Sequence, residues 1–228
     1  RNGWPLSDTA RRVRDVIMSF EGSTPGKFVM REGEPVPVIL DVAGAEAVDL
    51  ILMPTRGVPA LPRLFHKSIT AQVMRGASCP VWTAVNDRLS QPGSPIRNIL
   101  CGVSLAPRAA SVLRWAAALA LRMKATLTLI HASKDFETMP AYPCDGEWRH
   151  WQQALAKDEI EALQSSAGTE AGLLLAAGKP LAAIPRLAKS LRADLLVIGK
   201  SPQRRLLGDL RIMSYEMVRR SPCPVASV

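Results

Sequence analysis

The sequence predicts an α/β fold made of two tandem domains, each a parallel sheet with helices on both faces. Three observations indicate it: an internal repeat with a period of about 145 residues, short strands that are apolar on both faces, and the alternation of these strands with amphipathic helices. The chain has 228 residues, of which 47% are apolar. This length is enough for two hydrophobic cores of about a hundred residues each.

The repeat rests on three motifs that occur twice in the same order. They are a Gly-x-Pro turn at 33–35 and 178–180, an Asp that opens a four-residue apolar run at Asp49 and Asp194, and Arg-x-x-x-Cys-Pro-Val at 75–81 and 219–225. It is improbable that three motifs would recur in the same order and at nearly the same spacing by chance. We therefore interpret the chain as an internal duplication.

Hydrophobic periodicity and turn residues locate the elements of each copy. In the first copy they predict strands at Lys27–Arg31, after Asp49 and at Val81–Val85, and helices at Pro37–Ala47 and Ser68–Arg75. In the second copy they predict strands at Ile96–Val103, Ala125–Ala132, Gly172–Ala177, after Asp194 and from Val225, and helices at Ala109–Met123, Trp148–Gln164, Leu181–Leu191 and Arg211–Arg219. The second copy is therefore a complete βαβαβαβαβ unit of five strands.

The first copy is shorter than the second. The repeat offset aligns its first helix, predicted at Asp8–Ser19, with the second helix of the other copy. We assign residues 1–88 to an N-terminally incomplete first domain and 96–228 to the second, with Asp87–Ser94 as the linker. We expect about fifty further residues before Arg1 in the native protein, because the sheet of the first domain would otherwise be cut in two.

Charge and hydropathy limit the classes of partner. The net charge is +9, but the basic residues are scattered in short groups such as Arg11-Arg12 and Arg204-Arg205, without interleaved aromatics. This pattern favours a solvated basic surface over a nucleic-acid interface, although Arg204-Arg205 could also hold an anionic ligand. No run approaches the ~18 apolar residues of a membrane span, so we expect no membrane partner.

Cysteine usage gives no sign of a metal site or a disulfide framework. The four cysteines, at 79, 101, 144 and 223, form no CxxC pair and have no His at ligand spacing. Reduced thiols in a cytoplasmic protein are the simpler interpretation. Cys79 and Cys223 each precede a Pro at the start of a strand, where we expect small buried thiols.

No catalytic constellation is visible, so we do not expect an enzyme. His66 and His150 have no Ser, Cys or Asp partner at a motif spacing. His131 ends a predicted strand, where a core or cleft-edge position is favoured over catalysis. Trp148 and Trp151, three residues apart, predict one apolar helical face rather than a ligand-stacking pair.

The order and spacing of these motifs carry a family resemblance. Gly-x-Pro, a helix, Ala-Asp-Leu-Leu-Val-Ile-Gly and a helix ending in Arg-x-x-x-Cys-Pro-Val resemble the universal stress protein family. The second copy carries the resemblance through Ile99-Leu-Cys-Gly-Val, Leu113-Arg-Trp-Ala-Ala-Ala-Leu-Ala and Leu127-Thr-Leu-Ile-His131. The first copy carries it through Arg31-Glu-Gly-Glu-Pro35, residues 47–57 and His66-Lys-Ser68. The chain resembles a tandem member of the family along nearly its whole length.

The resemblance implies a five-stranded parallel α/β sandwich whose domains pair through their final strands. Here these strands are Val81–Val85 and Ala226–Val228, so we expect a pseudo-dimer within the chain, with a homodimer as a further option. Many family members bind ATP or AMP in a cleft at the carboxyl ends of the strands. Others bind no nucleotide and act through stress-induced interactions.

The resemblance also implies where a nucleotide would bind in the first copy. The family pattern after the fourth strand is Gly-x-x-Gly-x9-Gly-Ser/Thr, whose glycines let backbone N–H groups approach phosphates. Gly57 and Ser68 match this pattern, whereas Pro54 and Lys67 replace glycines. Lys67 could still reach a phosphate as a point charge, and Thr55 in the same loop is a further candidate.

The second copy departs further from the family pattern. Ser104 stands where the family has an Asp at the end of the first strand, and Gly199 matches the first Gly. Pro202 replaces the second Gly, and Arg211-Ile212 stand where Gly-Ser belongs. We therefore expect the second copy to bind no ATP tightly, and any nucleotide to lie near Gly57, Lys67 and Ser68.

Two hypotheses from different classes remain open at this point. One is a stress protein that binds a nucleotide or another small ligand in one degenerate cleft. The other is a ligand-independent stress protein that acts through partner surfaces and domain pairing. The sequence names neither the ligand nor the partner, and no cofactor is required by it.

Overall fold

The strands of both copies lie in one sheet. The structure is a computed structural model, and it describes residues 29, 31–55, 68–85, 95–137, 145–200 and 213–228. In chain order the strands are β1 (Ile51–Thr55), β2 (Val81–Val85), β3 (Asn98–Gly102), β4 (Thr126–Ser133), β5 (Gly172–Ala177), β6 (Leu195–Ile198) and β7 (Val225–Ser227). The helices are α1 (Pro35–Ala45), α2 (Ile69–Gly76), α3 (Ala109–Met123), α4 (Asp145–Ala167), α5 (Pro180–Ser190) and α6 (Met213–Arg220). Pro35–Val228 form one compact unit, and Arg1–Glu34 form a second, of which only residues 29 and 31–34 are described.

From residue 35 onward, the predicted elements agree with those observed wherever the structure describes them. The observed α3, β2, β5 and β6 have the predicted bounds, β7 begins at Val225 as predicted, and the ends of the others differ by one to three residues. Residues 29 and 31, within the strand predicted at Lys27–Arg31, are not in a strand. The strand predicted at Lys27–Arg31 and the helix predicted at Asp8–Ser19 lie mostly or wholly outside the described residues.

The sheet has the strand order β1-β2-β7-β6-β3-β4-β5. All neighbouring strands are parallel except β2 and β7, which are antiparallel. The second copy therefore supplies the five-stranded parallel sheet that its sequence predicts. Helices α3 and α4 cover one face of the sheet, and α1, α2, α5 and α6 cover the other.

The antiparallel pair joins the last strands of the two copies. Val81 lies opposite Ser227, Trp82 opposite Ala226, and Thr83 opposite Val225. The pairing of the final strands that the family resemblance implied is thus present. Helix α2 also packs against α6, so the two copies share a core as well as a sheet.

Burial differs between the two strands that follow the repeated Asp. All four residues of β6 are buried, because helices cover both of its faces. On β1, in contrast, the side chain of Leu52 is 69% exposed, so the prediction of a strand buried on both faces is wrong there. Leu52 pairs with Trp82 and lies on the face that α3 and α4 cover in the second copy. The part of the first copy that the structure describes has no helix on that face.

The repeated Asp has a structural role in the second copy. The Asp194 carboxylate accepts hydrogen bonds from the backbone N–H groups of Arg97 and Asn98, at 2.8 and 2.9 Å. It therefore ties the start of β6 to the start of β3, its neighbour in the sheet. Asp49 stands at the equivalent position of the first copy and has no hydrogen bond of this kind within the described residues.

We expect Asp194→Ala to lower the free energy of unfolding by about 1–2 kcal/mol, because two charge-assisted hydrogen bonds at a partly solvated site are lost. Asp49→Ala is the matched control and should change it by less than about 0.5 kcal/mol. Urea unfolding followed by circular dichroism measures both. An equal loss in the two variants would contradict the assigned role.

Two buried hydroxyls in the antiparallel pair have no hydrogen-bond partner within the described part of the chain. They belong to Thr83 and Ser227, which occupy equivalent positions in the two copies and are 1% and 0% exposed. The register places both on the face that α2 and α6 cover. A buried polar group without a partner destabilises the fold.

We expect Thr83→Val to raise the free energy of unfolding by about 1 kcal/mol, because the shape is kept and an unsatisfied hydroxyl is removed. Thr126→Val, at an exposed position of β4, is the control and should have little effect. Thermal unfolding measures the difference. Destabilisation by Thr83→Val would instead indicate a bound water that satisfies the hydroxyl.

Candidate functional site

A cavity of about 420 Å³ lies at the carboxyl ends of β3 and β6. The chain leaves β3 through α3 toward β4 and leaves β6 through α6 toward β7, on opposite sides. Neighbouring strands whose connections diverge in this way leave a crevice, which is where open parallel sheets bind ligands. The volume is within the range of small-molecule sites.

The walls of the cavity are mostly apolar. Among the lining residues that the structure describes, five of eighteen have polar side chains. Val112 comes from α3, Ile184 from α5, Ile198 from β6 and Met217 from α6, so helices on both faces of the sheet contribute. The five polar residues are Ser104, Arg108, His131, Lys200 and Ser214.

Gly199 directly follows β6 and lines this cleft. A Cβ atom at this position would lie 3.3 Å from Cγ2 of Val112, closer than ordinary van der Waals contact. Glycine therefore allows α3 to approach the sheet here. The structure adds this packing role to the phosphate approach that the family pattern implies.

Lys200 connects the cleft to the first copy. Its ammonium donates hydrogen bonds to the carbonyl oxygens of Ala77 and Cys79, at 2.6 and 2.8 Å, and its backbone N–H donates to Val228 at 2.8 Å. Ala77 is the C-cap of α2, where a cation interacts favourably with the helix dipole. Burial lowers the pKa of Lys200; the Cys79 charge opposes this effect, and the Arg108 charge adds to it.

Sequence reasoning missed Lys200 and Arg108. The available signal was positional: Lys200 directly follows a fully apolar strand, so it had to lie at the carboxyl edge of the sheet. Arg108 is the N-cap residue of α3, and its exposed side chain makes no capping hydrogen bond.

His131 lies at the edge of the cleft, as expected. Its Nδ1 is 2.9 Å from the carbonyl oxygen of Val103, and a carbonyl only accepts, so Nδ1 carries the hydrogen. In the neutral ring Nε2 is then an acceptor. The ring also packs edge-on against Phe136, with centroids 5.8 Å apart. These contacts fix the ring at the wall of the cavity.

The other predicted binding residues are only partly placed by the structure. Ser104 and Gly199 line the same cavity. Ser68 belongs to the first copy, where its Oγ accepts a hydrogen bond from the Ala71 N–H at 3.3 Å and caps α2. The side chain of Thr55, together with Gly57, Lys67, Pro202, Arg204-Arg205 and Arg211-Ile212, lies outside the described residues.

The thiols of the described chain are of two kinds. Cys101 lies in the core, and burial raises its pKa to about 12, so it does not form a thiolate near neutral pH. Cys223 is buried as expected. Cys79 is only half-buried, which corrects the prediction, although it lies in the turn between α2 and β2 that is equivalent to the turn holding Cys223.

Trp148 and Trp151 share one face of α4, with ring centroids 5.0 Å apart. That face does not belong to the core, because the two side chains are 56% and 51% exposed. Among the residues described, no three His, Cys, Asp or Glu side chains form a metal-binding group. Within the same residues, no helix has the length and apolar character needed to cross a membrane.

Comparison with known proteins identifies the family. The model of the "Universal stress protein family" matches residues 8–84 and 95–228. The "Universal stress protein in QAH/OAS sulfhydrylase 3'region" of Thermus aquaticus is 36% identical over 74 residues, which are 32% of this chain and 54% of that protein. The chain thus spans about half the length of this curated relative.

Solved structures show the same fold. A universal stress protein from Archaeoglobus fulgidus superposes with a TM-score of 0.71 at 21% identity, covering 97% of this chain and 76% of that one. A functionally unknown protein from Pseudomonas aeruginosa gives a TM-score of 0.62 at 19% identity, covering 100% of this chain and 79% of that one. Because the family model matches both copies and extends over nearly the whole sequence, the chain belongs to the universal stress protein family.

Proposed function

We propose that this universal stress protein is a stress-response protein that binds a small ligand in the cleft of its second copy, without chemical turnover. One observation carries the proposal: the cavity of about 420 Å³ at the carboxyl ends of β3 and β6, with apolar walls and few polar groups. We further propose a cytoplasmic location, on the ground that the cysteines show no disulfide or metal spacing.

The proposal of binding without turnover rests on the chemistry of the cleft. His131 is held by the Val103 carbonyl and by Phe136, and the ammonium of Lys200 is bonded to two carbonyl oxygens. The hydroxyls in the described lining belong to Ser104 and Ser214. Ser214 donates to the carbonyl oxygen of Gly199 at 3.4 Å rather than to a base. A nucleophile needs a base within hydrogen-bond reach, and the described residues give neither Ser one.

The second candidate function is ligand-independent action through pairing. The antiparallel pair of β2 and β7 supports it, because this pair already satisfies the family's strand pairing within one chain. The two functions make different predictions about the cleft. Only ligand binding requires that the cavity stay open.

We expect the neutral fluorophore N-phenyl-1-naphthylamine to bind the protein at one saturable site and Gly199→Val to weaken that binding at least tenfold. The valine would crowd Val112 in the lining of the cleft, because its Cβ alone would lie 3.3 Å from Cγ2 of Val112. Gly172→Val is the matched control: an added Cβ there meets nothing within 4 Å, so binding should be unchanged. Fluorescence titration measures both.

Absence of saturable binding to the wild-type protein would reject the proposed site and favour action through pairing. Binding that survives Gly199→Val would place the site elsewhere on the molecule. Thermal unfolding of each variant confirms that it is folded before it is titrated.

We expect ATP, if it binds, to bind in the first copy, as the sequence predicts, and Ser68→Asp to abolish that binding. Ser68 caps α2, and Asp is an equally good N-cap residue, so the helix stays intact while a carboxylate meets the phosphates. Isothermal titration calorimetry with ATP measures the effect. ATP binding that resists Ser68→Asp but disappears in Gly199→Val would show that the second copy is the nucleotide site.

A further inference from the structure

We propose that the second-copy cleft selects a carboxylate with an apolar body, whose charged end lies between Lys200 and Arg108. This inference rests on the proposed function, since it names the ligand class of the same site. It differs from nucleotide binding because the body of the ligand, not a set of phosphates, fills most of the cavity. Three features of the cleft carry it.

The first feature is a pair of positively charged side chains with no carboxylate among the described lining residues. Lys200 and Arg108 both line the cavity, and no carboxylate is among the lining residues that the structure describes. The two cations are close enough for the charge of Arg108 to disfavour the charged form of Lys200. An anion between them relieves this repulsion and replaces the water that burial removes from Lys200.

The second feature is an unused donor on Lys200. An ammonium has three N–H donors, and two of them are bonded to the carbonyl oxygens of Ala77 and Cys79. Within the described chain no acceptor is bonded to the third. Because the two carbonyls hold the ammonium in place, a carboxylate oxygen of the ligand would meet an oriented donor and lose little side-chain entropy.

The third feature is the nature of the walls. Ser104 stands where the family pattern has an Asp, so the position that would repel a ligand carboxylate is neutral. Val103, Val112 and Ile198 offer no hydrogen bonds to a base or a sugar. Burying the many polar groups of a nucleoside against such walls is unfavourable, whereas an aromatic or branched aliphatic body fits.

The test uses three acids, each paired with its neutral amide: indole-3-acetate, 4-phenylbutyrate and octanoate. Each compound competes with N-phenyl-1-naphthylamine for the wild-type protein. We expect at least one acid to bind about tenfold or more tightly than its amide, because a charge-assisted hydrogen bond is lost in the amide. AMP, an anion with a polar body, should compete at least tenfold less well than that acid.

Variants locate the charged end of the ligand. Arg108→Gln should reduce the preference for acid over amide at least threefold, and Arg108→Lys should restore part of it. Arg122→Gln, at the other end of α3, removes the same charge far from the cleft and should leave the preference unchanged. Lys200→Met should reduce the preference too, and its thermal unfolding is measured because Lys200 also holds the first copy.

The outcomes separate the ligand class from the site itself. If the fluorophore binds and Gly199→Val removes it, but acids and amides compete equally, the site stands and the carboxylate class is wrong. If AMP competes better than every acid, the cleft is a nucleotide site and this inference is overturned. If the fluorophore does not bind at all, the proposed function and this inference fail together.

Discussion

The antiparallel pairing of β2 with β7 is the interaction on which the rest of the described structure depends. It joins β1 and β2 to the five strands of the second copy and leaves neither of the paired edges open to solvent. Two parallel strands and two helices are too few to bury a core of their own. The side chains of α2 therefore pack together with those of α6 in a single cluster, which includes Val73, Met74, Met217 and Val218.

Lys200 makes the candidate site part of that interaction. Its backbone follows the last residue of β6, its side chain lines the cleft, and its ammonium holds the end of α2 and the following turn. The cleft and the first copy therefore share Lys200, which two short hydrogen bonds hold in place. The same contact gives Lys200 a structural role that does not depend on any ligand.

Equivalent positions of the two copies differ in residue type or in the contacts that they make. Asp194 bonds the start of β3, whereas Asp49 has no such partner among the described residues. Ser68 caps α2, while Ile212 stands at the corresponding position before α6.

The sequence by itself determined the fold class, the duplication, the order of the elements and the family, because these depend on local periodicity and on motifs repeated along the chain. It also indicated Ser104 and Gly199, through their positions in the binding pattern that the family resemblance implies. Only the tertiary structure decided the roles of Lys200 and Arg108, the exposure of Leu52 and the half-burial of Cys79. Each of these depends on which distant segment packs against the residue. The local sequence pattern does not determine which segment that is.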